Sequence, residues 1–209
     1  KNNYSKTQEK KIINRARRDK TPVDLVLLAY ISNLLGVIPR LVSHGGGNSS
    51  VKLSSDTLYI KPSGSELSKV EFSEFTALHL SILLKLKPLE FLSDRQMINT
   101  LRLAKLDSNA RDPSVETLFH AFLPHKFIVH THANDVLALT NQPNGEKLCR
   151  LVFGDKVGIL PYTMPGFQLA KKAIAMCNKR PEISGLVVLK HGLFAFGETA
   201  KEAYDEMIR

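Results

Sequence analysis

Apolar residues first recur at helical spacing at Val23, Val26, Leu27, Tyr30, Ile31, Leu34 and Leu35, which predicts one helix with a continuous apolar face. Thr21 as N-cap, Pro22 at the first helical position, Asp24 three residues after the cap and Gly36 as a stop bound that helix. Over residues 41–60 the pattern changes to short alternating segments around Gly45, Gly46, Gly47 and Asn48, as expected of strands joined by turns. Helices are predicted over residues 73–86 and 93–106, the second opened by Ser93 with Gln96 three residues on. Pro113 and Ser114 open a short helix that carries Glu116 and His120 and ends near Pro124. A buried strand over 127–132, a helix over 167–178, a strand over 185–189, a turn at His191 and Gly192, and a strand over 193–196 follow. A helix capped by Thr199 and Glu202 closes the chain. Helices alternating with strands predict a layered α/β fold, and with no internal repeat or linker, residues 21–209 read as one domain.

Composition narrows the class. At 209 residues, 43% hydrophobic and 23% charged, the chain suits one medium globular domain and excludes wholesale disorder. No apolar run approaches the roughly 18 residues needed to cross a bilayer, and no signal-peptide pattern is present. Cys149 and Cys177 alone form neither a disulfide framework nor a CxxC pair, so they are expected as buried thiols of a soluble, cytoplasmic protein. The net charge of +9 is concentrated: residues 1–20 hold eight basic and two acidic side chains, leaving +3 for the other 189 residues. We read residues 1–20 as a basic N-terminal arm in the form of a solvated amphipathic helix; nucleic acid is not an expected partner.

Two elements could carry chemistry. In His130-Thr131-His132, residues i and i+2 of a strand point to one face, so both imidazoles can reach one metal ion. His191 at a strand end and Glu116 at a helix start could complete the site; three histidines would leave a zinc ion one open position. Taken alone, a histidine pair also occurs by chance on half-buried strands. The second element is a pair of small-residue turns, Gly45 to Ser50 and Lys61 to Ser65, rich in the amides and hydroxyls that suit a phosphate, with Ser114 as a further donor. Such turns also simply connect strands. His44, beside the glycine turn, could line the site; His79, His120 and His125 read as hydrogen-bonded or helix-surface residues. GxGxxG, GxxxxGK[ST] and GxSxG are all absent, which leaves dinucleotide, P-loop and nucleophile-elbow chemistry without support.

Taken in order, HGGGNSS, KPSGSEL, PSVETLFHAFLPH, HTHAND, PYTMPGF and LKHGLFAFG resemble the class II aldolase and adducin family from about residue 41 to 209. More narrowly, they resemble the aldolase portion of bifunctional rhamnulose-1-phosphate aldolase/dehydrogenase proteins. The resemblance implies a three-layer α/β/α sandwich around a mainly antiparallel sheet, zinc held by His130, His132 and His191, and Glu116 as the acid/base. It implies phosphate contacts at Asn48, Ser63, Gly64 and Ser114, and a homotetramer with active sites near subunit boundaries. The implied reaction is zinc-dependent cleavage of a ketose 1-phosphate, with rhamnulose 1-phosphate as the best single substrate, to dihydroxyacetone phosphate and an aldehyde.

Two positions depart from many such aldolases: Val115 stands where a second hydroxyl is usual, and Asp112 adds a negative charge close by. No dehydrogenase half is present in this sequence. The alternatives are another sugar-phosphate lyase, dehydratase or epimerase on the same scaffold, or a non-catalytic adducin-like module. Glu116 in place of Asp argues against the epimerases, and retention of all three histidines with Glu116 argues against the adducin-like reading.

Overall fold

A computed structural model describes residues 2–43, 46–53 and 56–209. His44 and Gly45, singled out in the sequence, lie outside the described residues. The elements in chain order are α1 (Lys6–Arg18), α2 (Val23–Gly36), β1 (Asn48–Leu53), β2 (Thr57–Ile60), β3 (Thr76–His79), α3 (Leu80–Leu84), α4 (Asp94–Leu103), α5 (Thr117–Phe122), β4 (Phe127–Thr131), α6 (Asn134–Thr140), α7 (Gly145–Phe153), β5 (Val157–Leu160), α8 (Phe167–Lys179), β6 (Gly185–Val188), β7 (Gly192–Gly197) and α9 (Ala200–Ile208).

The strands form a seven-stranded sheet in the order β3-β2-β1-β4-β7-β6-β5. Every pairing is antiparallel except β5 with β6. Strand side chains alternate between faces, so the sheet divides two cores. On β4, Ile128 joins the core beneath α3, α4, α5 and α8, whereas Phe127 and Val129 join the core beneath α2, α6, α7 and α9. On β7, Phe194 and Phe196 take the first side and Leu193 and Ala195 the second. The result is the expected three-layer α/β/α sandwich.

The sequence expectations hold where the signal is local. Ser93 and Gln96 form a reciprocal capping box on α4, and Thr199 and Glu202 do so on α9. Elsewhere the structure corrects them. Thr21 makes no cap; α2 starts from Pro22 with no side-chain cap bond. The helix predicted over 73–86 is only α3 in its second half, because Thr76–His79 instead pairs with β2 as an edge strand. Helices α6 and α7 and strand β5 were not predicted at all.

The basic N-terminal segment forms α1, capped by Ser5, with its lysines and arginines exposed and Ala16 buried. Just ahead of it Tyr4 packs between Tyr30 of α2, edge-on, and Tyr204 of α9, tilted, at centroid distances of 5.4 and 5.6 Å. Cys149 and Cys177 are both buried and free. Among the described residues no helix is long and apolar enough to cross a membrane.

Candidate active site

The register of β4 against its neighbours builds the site. Asn48 of β1 and Phe194 of β7 lie directly opposite His130, one on each side, so all three side chains project from the same face. The His130 ring stacks on Phe194 at 3.9 Å and 12°. Its Nδ1 lies 3.0 Å from Leu193 O, and because a carbonyl only accepts, Nδ1 carries the proton and Nε2 keeps its lone pair. His132 follows the end of β4, and His191 sits in the turn between β6 and β7.

The turn brings His191 back because Gly192 lets two backbones meet. A Cβ there would lie 2.5 Å from Thr131 O and 2.9 Å from His130 Cε1. One potential ligand atom from each of His130, His132 and His191 lies within 4.8 Å of the other two. Nε2 of His130, Nε2 of His132 and Nδ1 of His191 are buried without a hydrogen-bond partner. Three neighbouring imidazoles, two of them with a buried, unsatisfied Nε2, offer the donor set a divalent cation needs, so these three residues fit a metal ion.

Glu116, the residue before α5, faces this cluster. Its Oε2 lies 3.4 Å from His130 Nε2 and its Oε1 lies 3.2 Å from His191 Nε2. Asn48 Nδ2 donates to Oε2 at 2.7 Å and approaches Ser114 Oγ at 3.2 Å. Burial pushes the Glu116 carboxyl up, but His130, His191 and the Asn48 amide outweigh it and hold the group below the usual carboxylate range. Burial also lowers His130 to about 4, so its imidazole stays neutral and able to ligate near neutral pH. The helix predicted from Pro113 begins four residues later, which leaves Ser114, Val115 and Glu116 in a turn whose Ser114 carbonyl accepts from Thr117 N at 3.0 Å.

The turn of residues 62–65 lies beside Ser114, joined through a bridge between Pro62 and Pro113. Ser63 and Gly64 are exposed there, and Gly64 takes a φ of +76° that other residues adopt only with strain. Ser114 Oγ accepts from both Asn48 Nδ2 and Glu116 N, which leaves its own hydroxyl proton free to donate outward. Asp112 does not leave a bare negative charge at this point. Arg102 holds it through Nε at 3.1 Å and Nη2 at 2.7 Å, and that hydrogen-bonded pairing lowers its carboxyl pKa.

Of the other histidines, His120 is buried and its Nδ1 meets Ser50 Oγ at 2.7 Å. His125 stacks on Phe196, and His79 is exposed at the sheet edge. Sequence reasoning missed Arg111, whose guanidinium is tied to the turn of residues 62–65.

A family model, Class II Aldolase and Adducin N-terminal domain, matches residues 26–209. The chain belongs to the class II aldolase and adducin family. The N-terminal class II aldolase domain of a conserved protein from Thermoplasma acidophilum is 37% identical, with a TM-score of 0.82 over 88% of this chain and 89% of that one. A sugar-phosphate aldolase from Thermotoga maritima (TM-score 0.67, 18% identity, 92% of this chain and 90% of that chain) shares the class II aldolase fold. A Bacillus subtilis (strain 168) protein named uncharacterized oxidoreductase YuxG is 31% identical over 207 residues, 95% of this chain. The chain spans 30% of that relative's length.

Proposed function

We propose that this class II aldolase-family chain is a zinc-dependent aldolase that cleaves a ketose 1-phosphate between C3 and C4. Rhamnulose 1-phosphate is the substrate we assign, with dihydroxyacetone phosphate and an aldehyde as products. The observation that carries this reading is the convergence of His130, His132 and His191 with Glu116, whose carboxylate oxygens lie 3.2 and 3.4 Å from two of the imidazoles. A cation held by the three histidines supplies positive charge against the negative charge that develops on the carbonyl fragment as the bond breaks.

The side chains divide the remaining work. Cleavage removes a proton from the C4 hydroxyl and adds one at C3, so it is proton-neutral overall and calls for a group that both accepts and releases. Glu116, ionised in the free site, takes that role and delivers the proton to C3. Asn48 holds its Oε2 at 2.7 Å and so fixes the direction from which the proton arrives. Ser63, Gly64 and Ser114, with Asn48 beside Ser114, hold the phosphate, whose binding positions the scissile bond. The reading includes a homotetramer, for which exposed Leu151, Val152, Tyr162 and Met164 provide apolar surface.

The oxidoreductase name of the Bacillus subtilis relative is not carried over, since this sequence has no GxGxxG segment for a dinucleotide. The test is release of dihydroxyacetone phosphate from rhamnulose 1-phosphate. Formation of an epimer or of a dehydrated sugar without release would replace the aldolase by the corresponding enzyme on the same scaffold. Metal binding with no turnover of any phosphorylated ketose would favour the non-catalytic module.

A further inference from the structure

The turn of residues 62–65 carries more positive charge than the protein neutralises. On its outer side Arg111 Nη1 donates to Ser65 Oγ at 2.7 Å and Nη2 donates to Ser63 O at 3.1 Å. A Cβ at Gly64 would stand 3.7 Å from Nη2, so the guanidinium lies across the turn in van der Waals contact. Its carboxylate neighbour, Glu74, is 3.9 Å away, too far for a hydrogen bond, and the Arg111 side chain stays half exposed. Two of the five guanidinium N–H groups are engaged with the turn, which leaves three for a ligand.

Behind the turn stands a second cation. Lys61 is only 2% exposed, and its ammonium donates to Ser65 O at 2.6 Å and reaches Pro62 O at 3.4 Å. No carboxylate pairs with it among the described residues. Of the two acidic groups close in sequence to Ser114, Asp112 is held by Arg102 and Lys105, and Glu116 faces His130 and His191. A buried cation without a counter-charge is costly unless an anion arrives to meet its field.

The neutral donors at this point are few. Ser63 N donates to Asp112 O at 3.0 Å and is unavailable, whereas the Gly64 amide makes no hydrogen bond among the described residues. Val115, 47% exposed beside Ser114, offers no hydroxyl. We propose that Arg111 is the cationic arm of the anion cradle formed by residues 62–65 and Ser114, with Lys61 as the buried charge behind it. Together they make the cradle select a dianionic phosphate ester over a neutral sugar. This rests on the phosphate reading given above and adds to it a specificity-determining residue. A planar guanidinium is suited to the task because it can grip two phosphate oxygens at once, and the contacts to Ser63 and Ser65 hold it in place before the ligand binds.

The test is calorimetric titration of the metal-loaded protein, and of its Arg111→Gln and Arg111→Lys variants, with inorganic phosphate, dihydroxyacetone phosphate and dihydroxyacetone. Loss of a charge-assisted contact predicts affinity for both phosphates weaker by about 10- to 100-fold in Arg111→Gln. Arg111→Lys, which keeps charge but not the fork, is expected between the two. Binding of dihydroxyacetone should be the same in all three proteins, and stronger phosphate binding by Arg111→Lys than by Arg111→Gln separates lost charge from a merely structural effect on the turn. Phosphate binding in Arg111→Gln equal to that of the unaltered protein would overturn the assignment and leave the aldolase reading intact. If the unaltered protein bound neither phosphate, the assignment and the phosphate reading beneath it would fall together.

Discussion

Asn48 stands directly across the β1–β4 pairing from His130, and its amide nitrogen reaches the Glu116 carboxylate at 2.7 Å. One strand register thus joins the candidate acid/base to the candidate metal ligands. A hydrogen bond to a charged group contributes about 1.5–3 kcal/mol. Asn48→Ala is therefore expected to lower kcat for cleavage by about 10- to 100-fold while leaving Tm within a few degrees of the unaltered protein. Steady-state kinetics beside a thermal melt checks this, and a kcat within twofold of the original would show that Asn48 does not position Glu116.

Gly192 allows Thr131 and His130 to come within the space that a side chain would fill. Gly192→Ala should destabilise the fold by about 1–3 kcal/mol through overpacking. Because the clash falls on His130 Cε1, at 2.9 Å, metal bound per chain should fall as well. Elemental analysis together with denaturant unfolding separates the two effects. Full metal occupancy in a destabilised variant would remove the glycine from the account of the site.

His120, which is not itself a candidate metal ligand, supplies a pH dependence of stability. Burial lowers its pKa to about 3, from 6.5 in the unfolded chain. Between those values the unfolded chain holds a proton that the folded chain does not, so stability falls as pH drops from about 6.5 toward 3. The slope from this one group approaches about 1.4 kcal/mol per pH unit. In urea unfolding of metal-free protein at pH 6 and pH 4, His120→Asn should lose about 2.5 kcal/mol less stability between the two pH values than the unaltered chain. Parallel losses in the two proteins would contradict the buried, neutral assignment.

Residues 1–20 bear on stability rather than chemistry. Tyr4 packs between Tyr30 and Tyr204, Asn3 N donates to Tyr204 Oη, and Ser5 N donates to Tyr30 Oη, both at 3.0 Å. Removing the segment should lower stability by about 2–4 kcal/mol from lost burial. The candidate site residues all lie between Asn48 and His191, so turnover per folded molecule should stay within about threefold. A well-folded truncated chain that had lost turnover would place the arm in the site.

What the sequence revealed and what it hid follow from how local each signal is. The capping boxes of α4 and α9 lie within four residues, and the two histidines of HTH share a strand face by simple alternation, so both could be read directly. His191 and Glu116 could be offered as completing that site from their places at a strand end and a helix start, and the order of the family motifs supported them. Thr76–His79 falls inside the helix expected over 73–86; pairing with β2 decides otherwise, and such a partner is invisible in a short window. Helices α6 and α7, of 7 and 9 residues, have no side-chain cap to mark their starts, unlike the 9-residue α9 with its Thr199–Glu202 box. Arg111 carried no motif at all, since its place depends on Ser63 and Ser65, which lie 48 and 46 residues away.

The most direct test of the central claim is dihydroxyacetone phosphate release from rhamnulose 1-phosphate, measured for zinc-loaded protein, for the same protein after chelation, and for Glu116→Ala. The account predicts release by the zinc-loaded protein, its loss on chelation with recovery when zinc is restored, and a fall of at least about 100-fold in Glu116→Ala. Release that persists undiminished after chelation or in Glu116→Ala, or no release by protein carrying a full complement of zinc, would contradict it.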